Sequence, residues 1–375
     1  MSARVILFGA TGFTGRLTAE AMTRAGLAPV LAGRSPDSLV ELVAELAPHA
    51  PIDAAPTWRQ ADVSDPASVR ALVDDPSDVL VSTVGPFARL GRVALDAAID
   101  QGCAYVDSTG EPSFVRAVFE QDGDRARQTG ARLLTAFGYD YVPGNLAGAL
   151  ALRDCGGGVG AASRVDVGYF VRGGMAMSSG TRASAMGMIS EPSFAFRNGR
   201  VVDGTGSVAT FDVRGRALDG LPIGGSEHFA LPRLDPHLRD VGVYLGWAGR
   251  LTRAAHVAGQ AMSLAGRVPL VRPLTGRALT WAGGSATGSG PSAPQRAGAV
   301  TVAVARVLDG VGRELSRATV EGPSPYDLTA ELLAWSAAML STGRQSDAGA
   351  LGPADAFGLD ALVDGCAAIG LRRVD

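Results

Sequence analysis

The sequence runs to 375 residues, more than one ordinary domain holds, so two domains or one domain with a large insertion are expected. Hydrophobic residues make up 46% and charged residues 19%, enough apolar material for a sizeable core and too much for a disordered chain. A formal net charge of -3 argues against nucleic acid, which normally demands a basic face, and all 34 basic residues are arginine, which removes every mechanism built on a lysine.

In chain order, Arg4–Phe8 has strand length and is followed by the helical apolar spacing of Leu17–Ala25. Its apolar run is short and leads straight into a glycine motif, so no signal peptide is read and a cytoplasmic location is expected. Cys103, Cys155 and Cys366 are widely spaced and odd in number, which fits a reducing compartment. Pro29–Ala32 reads as a second strand and Ser38–Leu46 as a second helix. Thr57–Ala61, Val79–Ser82, Ala104–Asp107 and Arg132–Ala136 continue the strands, with helices at Ala67–Val73, Gly91–Gln101 and Ser113–Gln128 between them. This alternation predicts right-handed crossovers and a doubly wound parallel α/β sheet.

After Gly144 the pattern changes. Ser163–Val171, Phe194–Val202 and Val208–Val213 read as strands, with a helix over Gly180–Ile189. Val241–Leu270 is small and apolar but carries Arg250, Arg253, His256 and Arg267, which predicts a helical cover over a hydrophobic cleft and no membrane span. Ala299–Leu308 and Glu314–Glu321 flank Asp309-Gly310-Val311-Gly312, a hairpin signal. Helices are expected over Tyr326–Leu340 and Leu359–Ile369. A second, antiparallel α+β domain follows from this pattern.

Gly9, Gly12 and Gly15 have the spacing GxxGxxG between a strand and a helix. Glycines there let the backbone approach a pyrophosphate, and the helix start offers free N–H groups at the positive end of its dipole; Thr11 and Thr14 add hydroxyls beside Phe13. Gly33-Arg34-Ser35 ends the second strand where an NAD site places a carboxylate against the ribose. A guanidinium at Arg34, with the Ser35 hydroxyl, suits a 2′-phosphate instead, so NADP(H) is the expected cofactor. Thr83-Val84-Gly85-Pro86-Phe87 closes the fourth strand at the edge where the nicotinamide end would lie. Asp107 or Glu111, after the next strand, can touch substrate or cofactor, although Ser108–Glu111 also suits helix capping.

At these residues the chain resembles the saccharopine dehydrogenase-like NADP-binding oxidoreductases, in the GATGFTG start, the GRS strand end and the GPF loop. Within that family it is similar to the trans-acting enoyl reductases of actinobacterial lipid and polyketide biosynthesis. Further matches are Gly138–Pro143, against a GFDSVP-like segment, and Ser179–Ser184, against a GGT-x-AS helix start. Leu231-Pro232 with Asp235-Pro236, and Gly322–Leu340, complete them. Tyr141 and Gly144-Asn145 depart from the family's usual residues, which leaves the substrate class open. The resemblance implies a Rossmann domain over 1–144, an inserted substrate or dimerisation domain over 145–322, and C-terminal helices over 323–375 that return to the first domain.

A nicotinamide reductase holds an electrophilic carbon against the cofactor and supplies a proton. The Tyr-x-x-x-Lys arrangement of short-chain dehydrogenases is impossible without lysine, and His49, His228, His237 and His256 show no ligand spacing, so no metal is expected. The turn Tyr139-Asp140-Tyr141, after the sixth strand and leading into the second domain, is the candidate proton-donating element facing an interdomain cleft. Arg182, at a predicted helix start, is a candidate for a substrate carboxylate or a carrier phosphate; His228 and Tyr326 rank below it. The expected activity is NADPH-dependent reduction of an enoyl, carbonyl or imine group in a small hydrophobic biosynthetic intermediate, free or carrier-bound. The alternatives are a saccharopine- or opine-type amino-acid or imine dehydrogenase, and a non-catalytic NADP-binding redox sensor. A homodimer is the expected assembly.

Overall fold

The computed structural model describes residues 3–51, 54–156, 162–174, 193–204, 206–246, 290–343 and 347–375. The chain divides into two compact units. The first comprises Met1–Gly110, Phe114–Val142 and Pro325–Arg372, and the second Glu111–Ser113, Pro143–Ser324 and Arg373–Asp375. Helices Gly180–Ile189 and the bulk of Val241–Leu270, both expected from the sequence, lie outside the described residues.

The first unit is built on β1 (Val5–Phe8), β2 (Val30–Gly33), β3 (Thr57–Gln60), β4 (Val79–Ser82), β5 (Ala104–Asp107), β6 (Arg132–Leu134) and β15 (Gly349–Ala350). These pair in the order β15-β6-β5-β4-β1-β2-β3, all parallel. β1 and β4 are wholly buried apolar runs, as strands covered on both faces must be, whereas the edge strand β3 is exposed throughout. Helices α1 (Phe13–Arg24), α2 (Pro36–Leu46), α3 (Pro66–Arg70), α4 (Phe87–Leu90) and α5 (Arg92–Gln101) alternate with the first strands. The single helix expected over Ser113–Gln128 is three pieces: α6 (Pro112–Ala117), a π-helical turn (Val118–Asp122) and α7 (Gly123–Thr129). One core cluster joins Ile6, Phe8, Leu80 and Tyr105 of the sheet to Leu95, Ile99 and Phe114 of the helices.

The chain returns to this unit with α11 (Pro325–Ser341), α12 (Pro353–Phe357) and α13 (Leu359–Ala368). α11 lies along α1, with Tyr326 edge-on to Phe13 and Arg24 paired to Glu331 at 2.7 Å.

The second unit opens with most of α8 (Val142–Asp154), a helix the sequence reading passed over because glycines interrupt its start. Its sheet contains β7 (Arg164–Arg172), β8 (Phe194–Arg197), β9 (Arg200–Asp203), β10 (Ala209–Val213), β11 (Arg216–Ile223), β12 (Asp240–Leu245), β13 (Val300–Leu308), β14 (Glu314–Gly322) and the short β16 (Arg372–Arg373). The order is β10-β11-β12-β7-β13-β14-β16, with the β8–β9 hairpin attached to β12. From β10 to β14 the pairing is antiparallel except between β7 and β12, which run parallel. α9 (Glu227–Leu234) and α10 (Ala293–Ala297) complete the described elements.

Two expectations are corrected here. Phe194–Val202 is not one strand but two, because Asn198-Gly199 takes positive φ at both residues, 51° and 78°, and turns the chain back. The start of Val241–Leu270 is strand β12 and not a helical cover: Val241 and Val243 register against Val165 and Val167 of β7.

The sheet of this unit curls. Arg306 of β13 donates from Nη1 to Thr210 O of the edge strand β10 at 3.2 Å, its guanidinium lies 4.9 Å from the Phe211 ring centre, and Arg214 clasps Glu321 of β14 at 2.6 Å. Arginine side chains thus satisfy the outer carbonyls of an edge that would otherwise be open to pairing. Phe170, Phe211, Val213, Tyr244, Val302 and Val304 form the core inside.

Candidate functional site

In the first unit the strand order reverses between β1 and β4, so their carboxyl ends open the crevice in which such sheets bind ligands. The glycine loop fills that position. Gly9 has φ +88°, a left-handed conformation, and a Cβ there would stand 2.7 Å from Thr83 Oγ1 and 2.8 Å from Val84 Cγ2. A Cβ on Gly15 would come within 2.1 Å of Gly9 O, so only glycine lets α1 begin this close to the loop. Gly12, in contrast, is exposed and is the N-cap of α1, with no side chain capping the first turn and no acidic residue in it. The loop is anchored below: Gly9 and Ala10 N–H both donate to Ala32 O, at 2.9 and 3.1 Å, and the Thr83 hydroxyl donates to Gly9 O at 3.1 Å. The result is a fixed cradle whose outer face offers backbone and a positive dipole end to an anion.

Thr11 and Thr14 are half-buried, and Thr11 Oγ1 lies 3.6 Å from the position a Cβ on Gly33 would take, which brings the first loop to the end of β2. Phe13 turns its ring onto Tyr326, at 5.1 Å between centres, so its side chain belongs to the packing of α1 on α11. Arg34 is exposed and makes no ion pair within 4.0 Å among the described residues; its carbonyl accepts from Gln60 Nε2 at 3.1 Å. Ser35 caps α2, accepting from Ser38 N–H at 3.4 Å, with Pro36 at the first helical position. The guanidinium beside this helix start is thus available to a phosphate group.

In the β4 loop, Thr83, Val84 and Pro86 are half-buried and Gly85 is exposed. The Phe87 ring packs on Phe114 at 5.7 Å and is 5% exposed, so its side chain belongs to the core. Asp107 is also corrected, because both of its oxygens are committed. Oδ1 accepts from Thr109 and Ala136 N–H, each at 2.9 Å, and Oδ2 from the Thr135 hydroxyl at 2.9 Å. Burial pushes its carboxyl up to about 6, against the opposing pull of those donors. It ties the β5 loop to the β6 loop and holds Ala136 at φ 59°, a conformation an alanine adopts only under constraint.

The turn Tyr139-Asp140-Tyr141 follows from that anchor. Thr329 Oγ1 accepts from Tyr139 N–H at 3.0 Å, Tyr141 N–H donates to Ala136 O at 2.8 Å, and the Tyr141 hydroxyl donates to Gly110 O at 3.1 Å. The Asp140–Tyr141 peptide is cis. Both tyrosines are buried, at 3% and 0% exposed. Asp140 alone in the turn keeps partial access to solvent. Its carboxyl is pushed up to about 7 by burial, with no compensating partner. Thr329 is the positioning residue that sequence reasoning missed; it carries no local signal, since its role depends on where α11 returns. Glu111 groups with the second unit and is 4% exposed, and Arg182 lies outside the described residues. Among the described residues no cluster of His, Cys, Asp and Glu suits a metal ion, and no helix is long and apolar enough to cross a membrane.

A parallel sheet in this strand order, with a glycine cradle at its switch point and, after β2, a guanidinium without an ion pair among the described residues, defines a dinucleotide-binding α/β protein. Residues 5–133 match the family described as the saccharopine dehydrogenase NADP binding domain, a match that lies, Glu111–Ser113 apart, within the first unit and supports NADP(H) as its cofactor. The chain is 37% identical over 196 residues to a candidate trans-acting enoyl reductase of Mycobacterium tuberculosis, covering 50% of this chain and 45% of that protein. It is 38% identical over 146 residues to a trans-acting enoyl reductase of Mycobacterium leprae, covering 38% of this chain and 34% of that protein. The matched stretch thus spans less than half the length of these relatives. The fold is that of saccharopine dehydrogenase (L-Glu forming) from Saccharomyces cerevisiae, with a TM-score of 0.59 at 11% identity over 99% of both chains.

Proposed function

We propose that this protein is an NADPH-dependent reductase of an enoyl, carbonyl or imine group in a small, largely apolar biosynthetic intermediate, free or carrier-bound. The observation that carries the reading is the pairing of the Gly9–Gly15 cradle with an Arg34 guanidinium that makes no ion pair among the described residues. The enoyl substrate class draws its support from the similarity to the mycobacterial enoyl reductases. When bound, NADPH supplies the hydride. The chain's own groups do the rest. Gly9, Gly12 and Gly15 hold the pyrophosphate against backbone N–H, Thr11 and Thr14 offer hydroxyls, Arg34 and Ser35 take the 2′-phosphate, and Thr83–Pro86 border the nicotinamide end. Asp140, protonated in part near neutral pH, delivers the proton to the reduced substrate. Tyr139 and Tyr141 shape the turn around it.

A saccharopine-type dehydrogenase is the second reading, supported by the shared fold. NADPH consumption against enoyl thioesters, ketones, cyclic imines, and an amine with a 2-oxo acid separates the two. Turnover with an enoyl thioester, ketone or imine alone supports the reductase. Turnover only with amine and 2-oxo acid together supports the dehydrogenase. NADPH binding without turnover on any acceptor points to the redox sensor. A cytoplasmic homodimer is the expected form, and light scattering reads the assembly.

A further inference from the structure

The β5 and β6 loops of the first unit meet on one side chain. Asp107 closes β5, and its buried carboxylate accepts from three donors, each at 2.9 Å: the Thr109 and Ala136 N–H groups on Oδ1 and the Thr135 hydroxyl on Oδ2. Its backbone carbonyl takes a fourth, the Phe137 N–H, at 2.7 Å. Three consecutive residues of the β6 loop, Thr135, Ala136 and Phe137, therefore hang on Asp107.

Both ends of the Asp140 turn rest on this frame. Ala136 gives its N–H to Asp107 and takes the Tyr141 N–H on its carbonyl at 2.8 Å, so one alanine at φ 59° links the carboxylate to the far side of the turn. An L-residue holds that left-handed conformation where the bonds at its two ends outweigh the steric cost, and bonds to a carboxylate are the strong kind. The Tyr141 hydroxyl donates to Gly110 O at 3.1 Å, and the Thr109 N–H on Asp107 Oδ1 sets the course of the chain into Gly110. Thr329 holds the middle of the turn, through the Tyr139 N–H. Between these attachments Asp140 keeps partial access to solvent, and burial pushes its carboxyl up to about 7. How deep that carboxyl sits depends on where the two loops are held.

We propose that Asp107 is the positioning residue of the candidate acid, setting the depth and direction of the Asp140 carboxyl through Ala136 and Gly110 and not by contact with the reacting atoms. Its consequence for proton delivery rests on the reductase reading; the positioning itself does not.

The test compares Asp107→Ser with Asp107→Asn in the full chain. A serine hydroxyl still accepts the Thr109 N–H two residues on, but it is too short to reach Ala136 and Thr135 as well. An asparagine keeps Oδ1 for both N–H groups and turns Nδ2–H toward the Thr135 oxygen. Asp107→Thr is the substitute if the serine variant does not fold. Side-chain carboxyl carbons are followed by 13C NMR without cofactor from about pH 4 to about pH 9. The Asp140 signal is the one lost in Asp140→Asn, and the Asp107 signal, titrating at about 6, is the one lost in Asp107→Asn.

The Asp140 midpoint is expected at about 7 in wild type and in Asp107→Asn, and falls toward about 4 in Asp107→Ser as the carboxyl gains solvent. With NADPH and an acceptor that the wild type turns over, kcat of Asp107→Ser falls about 10²-fold while the KM for NADPH stays within about twofold, and Asp107→Asn recovers most of the rate. An Asp140 midpoint that stays at about 7 in Asp107→Ser overturns the proposal. So does an Asp107→Asn protein as impaired as Asp107→Ser, or loss of NADPH binding along with kcat. A moved midpoint with a kcat indifferent to Asp140→Asn upholds the positioning and overturns the proton-delivery reading, so the two fail separately.

Discussion

Asp140 and Gly9 are the residues on which the proposed chemistry turns. A carboxyl raised to about 7 in the folded protein and near 3.8 when unfolded binds more protons folded, so its stabilising effect is present in full below about pH 4 and is lost as pH rises through 7. Asp140→Asn is therefore expected to raise Tm relative to wild type at about pH 8, by roughly 2–4 °C for each kcal/mol recovered, and to change it little near pH 4. The same substitution removes the acid, so kcat drops by roughly 10²–10⁴-fold while NADPH affinity is unchanged. Paired thermal melts and steady-state rates check both, and an unchanged kcat contradicts the assignment. Gly9→Ala forces a positive φ and a 2.7 Å contact with Thr83 Oγ1, with an expected loss of about 1–3 kcal/mol in a urea titration together with loss of NADPH binding.

At the scale of elements, what the sequence made legible follows from how local each signal is. β4 and β5 were readable residue for residue because each is a short buried apolar run closed by a polar residue, Ser82 or Asp107, and the β13–β14 hairpin because Asp309–Gly312 supplies its turn. α8 was not readable: Gly144 and Gly148 look like loop residues, yet they are where the helix meets its neighbours. A Cβ at Gly144 would stand 2.1 Å from Tyr169 Oη, and one at Gly148 would stand 2.7 Å from Leu231. Gly144→Ala thus improves helix propensity and still destabilises, by about 1–3 kcal/mol, in a denaturant titration. A gain in stability would show that α8 is not packed on Tyr169 in this way. The glycine cradle was legible from spacing alone, but the fate of Phe13, Phe87 and Asp107 was not. Their side chains answer to partners far along the chain: Tyr326, Phe114 and Thr135.

At the scale of the whole molecule, two sheets of different character share one chain. The first is parallel and is read from βα alternation; the second is mixed, and its pairing joins strands as distant as β7 and β13, which no local pattern specifies. Its arginine-tied edge at β10 likewise emerges only in three dimensions. The account's central claim is that the first unit is built for NADPH and that Arg34 reads the 2′-phosphate. The most direct measurement is titration of NADPH and NADH against wild type and Arg34→Ala, followed by fluorescence. A charge-assisted contact contributes roughly 1.5–3 kcal/mol, so NADPH affinity is expected to fall by about 10- to 150-fold in the variant while NADH affinity stays within about twofold. Equal weakening of both cofactors, or no wild-type preference for NADPH, would contradict it.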